Sequence, residues 1–99
     1  MRKLKVILIG AGNRGTAYTD IMKNMADKYE VISVAEPIES RRSDIKNKHN
    51  IKDELCFNDW KPLFELGKIA DLAIIATGDK DHFEPTKAAI ELGYDILLE

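Results

Sequence analysis

Leu4-Lys5-Val6-Ile7-Leu8-Ile9-Gly10-Ala11-Gly12-Asn13-Arg14-Gly15 decides the fold of this chain. Four consecutive apolar residues, Val6 to Ile9, read as a strand buried on both faces, the pattern of parallel sheets covered by helices on each side. The run breaks into Gly10, Gly12 and Gly15, spaced G-x-G-x-x-G. Gly10 permits a tight strand-to-helix turn, Gly12 removes the side chain that would strike a pyrophosphate, and Gly15 lets helix and strand pack closely. The helix N-terminus then offers free N–H groups and a partial positive charge to an anion. Asn13 and Arg14 stand at the helix start, where Arg14 either reaches a phosphate or is solvated. The spacing alone is a weak signal. The rest of the chain has to support it.

Ninety-nine residues allow one domain with a modest core. Hydrophobic residues at 44% and charged residues at 32% argue against disorder. A formal net charge of -2 gives no general attraction for nucleic acid or an anionic membrane surface. The single cysteine, Cys56, excludes an internal disulfide framework and fits a reducing compartment. Val6–Ile9 is too short for the core of a signal peptide, and no stretch approaches the roughly 20 apolar residues of a membrane helix. The expected location is cytoplasmic. His49 lies in a polar segment without a ligand partner and is expected to be an exposed loop residue, and no metal site is expected.

After the glycine turn, residues 14–28 read as a helix, with Ala17, Ile21 and Met25 recurring every four residues and Tyr18 and Met22 widening the stripe. Tyr29 to Ala35 reads as the second strand and closes on Glu36-Pro37. Glu36 lies 21 positions after Gly15, close to the spacing of about 20 at which an acidic residue meets the adenosine ribose. A carboxylate accepts hydrogen bonds from both ribose hydroxyls and repels a 2′-phosphate, which favours NAD over NADP. Arg41 or Arg42, just beyond, is the alternative that would hold a 2′-phosphate. Ser40 to Lys48 reads as a short solvated helix with Ile38 and Ile45 as its apolar candidates. No aromatics interleave its charges, so it is not a nucleic-acid patch.

Leu55 to Phe57 is expected to form the third strand, with Cys56 a small buried hydrophobe and a reactive thiol the lesser reading. Asn58 or Asp59 caps a helix in which Trp60, Leu63 and Phe64 share a face, Trp60 as a packing anchor. Asp71 to Ala76 forms a second fully buried strand, ending at Thr77-Gly78, where open α/β sheets bind their ligands. A helix follows from about His82 to Leu92 and stops at Gly93, with Asp81 and Glu84 spaced as a capping box and Pro85 moving its start a residue or two later. His82 either caps and packs or faces the nicotinamide end. Asp95 to Leu98 is the last strand. The alternation of strands and helices gives a doubly wound parallel α/β sheet, a Rossmann fold with five strands in the order 3-2-1-4-5.

The combined motifs resemble the N-terminal domain of the Gfo/Idh/MocA oxidoreductases, the glucose-fructose oxidoreductase and inositol dehydrogenase family. The matching pieces are Gly10-Ala11-Gly12-Asn13-Arg14-Gly15, Val34-Ala35-Glu36-Pro37, Ile74-Ile75-Ala76-Thr77, His82-Phe83-Glu84-Pro85 and Gly93-Tyr94-Asp95-Ile96-Leu97-Leu98-Glu99. In that family the closing strand runs into Glu-Lys-Pro, and Glu99 matches the glutamate, near the nicotinamide ribose. Gly78-Asp79 departs from the family's frequent Thr-Pro-Asn.

The resemblance implies an incomplete NAD(P)-binding domain over residues 1–99. The family's lysine, sixth strand and C-terminal α/β domain are absent from it, and it carries no catalytic residue of its own. The cofactor-binding residues expected are Gly10, Gly12, Asn13, Arg14, Gly15, Glu36, Thr77, His82 and Glu99. The implied activity of the complete enzyme is hydride transfer on a sugar, inositol or related polyol, by a homo-oligomer. An NAD-dependent glycosidase on the same framework and a non-catalytic NAD(H)-sensing module are the alternatives. Without a sixth strand, the isolated chain is expected to expose a strand edge and self-associate.

Overall fold

The computed structural model describes residues 3–78 and 82–98. Five parallel strands, β1 (Leu4–Ile9), β2 (Tyr29–Ala35), β3 (Cys56–Phe57), β4 (Leu72–Ile75) and β5 (Asp95–Leu98), form one sheet in the order β3-β2-β1-β4-β5. Helices α1 (Asn13–Lys23), α2 (Glu39–His49), α3 (Trp60–Phe64) and α4 (Phe83–Leu92) make the crossovers, and a single 3₁₀ turn at Asp53–Leu55 precedes β3. The strand order is the one expected from the alternation of elements.

Both faces of the sheet are covered, and β1 shows why its sequence is a continuous apolar run. Val6 and Leu8 join Val34, Ile45 and Ile74 on one face, while Ile7 and Ile9 join Leu63, Ala73, Ile75 and Ala89 on the other. Successive side chains on a strand alternate faces, so Val6–Ile9, covered by helices on both sides, has no solvent-facing position for a polar residue. Ile32 interrupts the β1–β2 register: Val6 pairs with Val31 and Ile7 with Ser33. Ser33 is fully buried and donates its hydroxyl to the Leu55 carbonyl at 2.7 Å, so its burial leaves no polar group unmatched.

The buried face of α1 differs from the expected stripe. Gly15 and Thr19 are buried and Tyr18 and Met22 half-buried, whereas Ile21 is 58% exposed and Ala17 faces solvent. Gly15 sets this phase. Its closeness to β1 turns residues 15, 19 and 22 inward, and residues 17 and 21 are rotated from Gly15 and Thr19 by about 200° at 100° per residue. Thr19 tolerates full burial because its hydroxyl meets the Gly15 and Thr16 carbonyls, each at 3.1 Å. The helix also ends at Lys23, short of residue 28. The bonds Met25 N to Met22 O (3.0 Å) and Lys28 N to Met25 O (2.8 Å) fold residues 24–28 into turns that lead to β2.

The other helix ends follow local chemistry. Asp59 caps α3 by accepting the Lys61 N–H at 3.3 Å. Pro85 is the third residue of α4, where a missing N–H costs nothing, and the helix starts at Phe83. Gly93 closes α4 at φ 88°, with Gly93 N bonded to Ile90 O and Tyr94 N to Ala89 O, a Schellman arrangement. Tyr94 then packs on Phe64 with ring centroids 5.9 Å apart and accepts the Ile69 N–H on its hydroxyl at 3.0 Å. Trp60 packs on Phe64 at 5.7 Å, an anchor as expected. Cys56 is half-buried, and burial raises its thiol pKa. His49, expected in an exposed loop, is instead half-buried, because α2 runs on to end at it. Asp81, and with it the expected capping box, lies outside the described residues, as do Asp79 and Glu99. Among the described residues no helix is long and apolar enough to cross a membrane.

Candidate functional site

The carboxyl ends of β1, β2 and β4 open into one cavity of about 520 Å³, lined among others by Gly10, Gly12, Glu36, Arg41, Trp60 and Thr77. This volume lies within the range of ordinary small-molecule sites. The three strand ends stay in register up to the opening: Gly10 N bonds Ala35 O and Ala76 N bonds Ile9 O, each at 2.8 Å, and Glu36 N bonds Phe57 O at 2.9 Å.

The three glycines of the turn play separable parts. Gly10 has φ 90°, and a Cβ there would lie 2.8 Å from the Ala76 carbonyl oxygen, so the turn itself demands glycine. At Gly15 a Cβ would come within 2.5 Å of the Gly10 carbonyl oxygen and 3.2 Å of both Ala76 Cβ and Leu8 Cδ1, so helix packing demands it. Gly12 is different. Its backbone is extended, at φ -77° and ψ -169°, and a Cβ would meet nothing nearer than Arg41 Nη1 at 3.8 Å. Nothing in the fold requires glycine at position 12. Its absent side chain leaves open space in front of the α1 N-terminus, where no side chain caps the helix and the first turn carries no acidic residue.

Glu36 is 4% exposed. Its Oε1 accepts the Ala11 N–H at 2.7 Å and its Oε2 the Ile38 N–H at 2.8 Å, which ties the end of β2 to the glycine turn. A carboxylate offers about four acceptor positions. Two backbone bonds leave about two, one on each oxygen, at the edge of the cavity. The two arginines beyond it are separated by the structure: Arg42 Nη1 donates to the Glu36 carbonyl at 2.7 Å, whereas Arg41 lines the cavity.

Among the residues expected from the sequence, Gly10, Gly12, Glu36 and Thr77 come together in the cavity. Gly15 lies buried beneath them, and Asn13 lines an adjoining groove of about 360 Å³. Arg14 is exposed and borders neither space. His82 is half-buried at the start of α4, outside the cavity lining. Among the described residues, Thr77 Oγ1 and His82 Nδ1 are buried without hydrogen-bond partners, at the strand end and the helix start. Trp60, Asp59 and Lys61 also line the cavity, although the sequence pointed to Trp60 as a packing anchor and Asp59 as a cap and did not single out Lys61. Their place follows from the short β3, which sets the α3 N-terminus beside the end of β2.

A cavity at the carboxyl ends of parallel strands, at the point where the strand order reverses and beside a glycine turn, is where such sheets take dinucleotides. The sequence model of an oxidoreductase family with an NAD-binding Rossmann fold matches residues 4–99. The chain belongs to the Gfo/Idh/MocA family. No curated protein sequence matches it.

Solved structures show the same fold at low identity. The WlbA dehydrogenase from Bordetella pertussis, in complex with NADH and UDP-GlcNAcA, is 15% identical with a TM-score of 0.84 over 99% of this chain. The myo-inositol 2-dehydrogenase from Lactobacillus plantarum is 18% identical with a TM-score of 0.85 over 98%. The biliverdin reductase from Synechocystis, in complex with biliverdin and NADP+, is 18% identical with a TM-score of 0.80 over 96%. The chain covers 28% of the length of each. It therefore spans little more than a quarter of the length of the proteins it resembles.

Proposed function

We propose that this Gfo/Idh/MocA domain binds NAD, in preference to NADP, for hydride transfer on a sugar, inositol or related polyol. The observation that carries the cofactor reading is Gly12, a glycine that the fold does not need, at the mouth of a cavity beside an open helix N-terminus. The cofactor would rest its pyrophosphate on the α1 N-terminus over Gly12, its adenosine ribose against Glu36, and its far half toward Thr77 and His82. When bound, NAD supplies the hydride acceptor. The protein's part is to hold and orient it: backbone N–H groups meet the phosphates, and the free acceptor positions of Glu36 match the two ribose hydroxyls. The substrate class rests on family membership and on the likeness to an inositol dehydrogenase and a sugar-nucleotide dehydrogenase.

The cofactor choice has a direct test. Glu36→Ala is expected to weaken NAD about tenfold while leaving NADP less affected, because two ribose bonds go with the carboxylate and so does its repulsion of a 2′-phosphate. Calorimetric titration of both cofactors into both proteins measures this. Tighter binding of NADP than NAD by the parent chain would refute the preference.

The exposed edge carries a further expectation. Among the described residues β5 pairs with β4 alone, and its Leu98 is 46% exposed. An apolar edge strand invites pairing with a second copy. Sedimentation of the chain is expected to show association that rises with concentration. A monomer across the whole range would contradict it.

A further inference from the structure

The proposed site holds a dianionic diphosphate, yet the charges that line its cavity do not favour one. Among the described residues, Glu36, Asp59 and Glu84 line it against Arg41 and Lys61. Lys61 is committed to the far wall, its Nζ 5.8 Å from the Trp60 ring centroid. Arg42 is bound to the Glu36 carbonyl, and Arg14 borders neither cavity. Among the described residues, Arg41 is the cation that lines both the cavity and the groove at Gly12. It projects from the first turn of α2, is exposed, and makes no hydrogen bond or ion pair among the described residues. Its Nη1 stands 3.8 Å from where a Gly12 Cβ would be, and it lines both the main cavity and the adjoining groove, which meet at Gly12.

We infer that Arg41 is the positively charged anchor of the cofactor's pyrophosphate, closing over Gly12 from α2 while the α1 N-terminus holds the phosphates from beneath. The inference rests on the dinucleotide reading and adds a residue to it. A guanidinium at this place supplies two parallel N–H donors together with a full positive charge, which the backbone N–H groups on the opposite side do not carry. It also offsets the buried carboxylate of Glu36, which takes only backbone N–H groups from the described residues. The same guanidinium would serve a 2′-phosphate, but that group would lie beside this carboxylate.

Calorimetric titrations of ADP-ribose and of NADP+ into the parent chain, Arg41→Ala, Arg41→Lys and Lys68→Ala separate the possibilities. Arg41→Ala is expected to weaken both ligands by a similar factor of about ten or more, with part of the loss recovered in Arg41→Lys and a smaller loss at high salt. Lys68→Ala, at an exposed lysine outside both linings, is expected to change neither. Arg41 is exposed, so thermal melts of its variants should match the parent. A loss confined to NADP+ would place Arg41 at a 2′-phosphate and overturn the inference. So would unchanged binding in Arg41→Ala, or a loss insensitive to salt and equally severe in Arg41→Lys, which would mark stacking on the base. If the parent binds neither ligand, and Gly12→Val behaves the same, the dinucleotide reading itself falls and Arg41's role with it.

Discussion

Gly12→Val is expected to abolish measurable NAD binding while leaving the fold nearly as stable as the parent. A Cβ at position 12 meets nothing nearer than 3.8 Å, and the backbone there is extended, so any residue is accommodated. The structural cost is confined to the N-cap position, where valine is poorer than glycine by about 1 kcal/mol. For a domain of this size that shifts the melting temperature by roughly 4–8 °C. The ligand has no such tolerance. The isopropyl group would fill the space through which a pyrophosphate reaches the α1 N-terminus, and those N–H groups would lose their partner. A loss of at least about a hundredfold, near 3 kcal/mol, is the expected size. Calorimetric titration beside a thermal melt reads both effects on one sample. Equal binding heats from parent and variant would remove the glycine turn from the site. A collapsed melt would show instead that Gly12 is structural.

How much of this was legible beforehand varies with the kind of signal. Val6–Ile9 and Leu72–Ile75 were readable as buried strands because a strand covered by helices on both sides has no solvent-facing position for a polar residue, and the sequence says so without ambiguity. The glycine spacing was readable too, since Gly10 and Gly15 answer to backbone geometry that other residues cannot adopt or fit. The inward face of α1 was not. Its burial is fixed by Gly15 and Thr19, residues that hydrophobic periodicity scores as neutral or polar, while the apolar Ile21 faces out. Periodicity measures where apolar residues lie; here the closest approach to the sheet is made by a residue with no side chain at all.

The candidate site divides the same way. Glu36 was found by its distance from Gly15, because the length of one βαβ turn is set by the geometry of a helix and a strand. Arg41 and Trp60 belong to separate crossovers on either side of the cavity, and no spacing rule links them to Gly12. Their meeting depends on how far α2 and α3 lean over the end of the sheet. That is a packing outcome, invisible until the chain is folded.

Gly15→Ala is expected to show the opposite behaviour to Gly12→Val, losing stability first and binding only as a consequence. In an open helical position the change would favour folding by about 1 kcal/mol, since alanine restricts the unfolded chain. Gly15 lies inside α1, so the same gain is available there. It is overwhelmed by contact. The new Cβ would sit 2.5 Å from the Gly10 carbonyl oxygen, which belongs to the backbone of a turn already held at φ 90°, with Ala76 Cβ and Leu8 Cδ1 at 3.2 Å on either side. A flexible side chain could swing away; a carbonyl locked between β1 and β4 cannot, so α1 must lift from the sheet. Overpacking of this kind costs about 1–3 kcal/mol, and a backbone obstacle puts it at the upper end. A melting temperature lower by roughly 10–20 °C is the expected reading. The discriminating measurement is NAD affinity at low temperature, where the variant is still folded. Affinity close to the parent's would place Gly15 in the framework. Full loss of binding with an unchanged melt would move it into the site and make the helix spacing tighter than function requires.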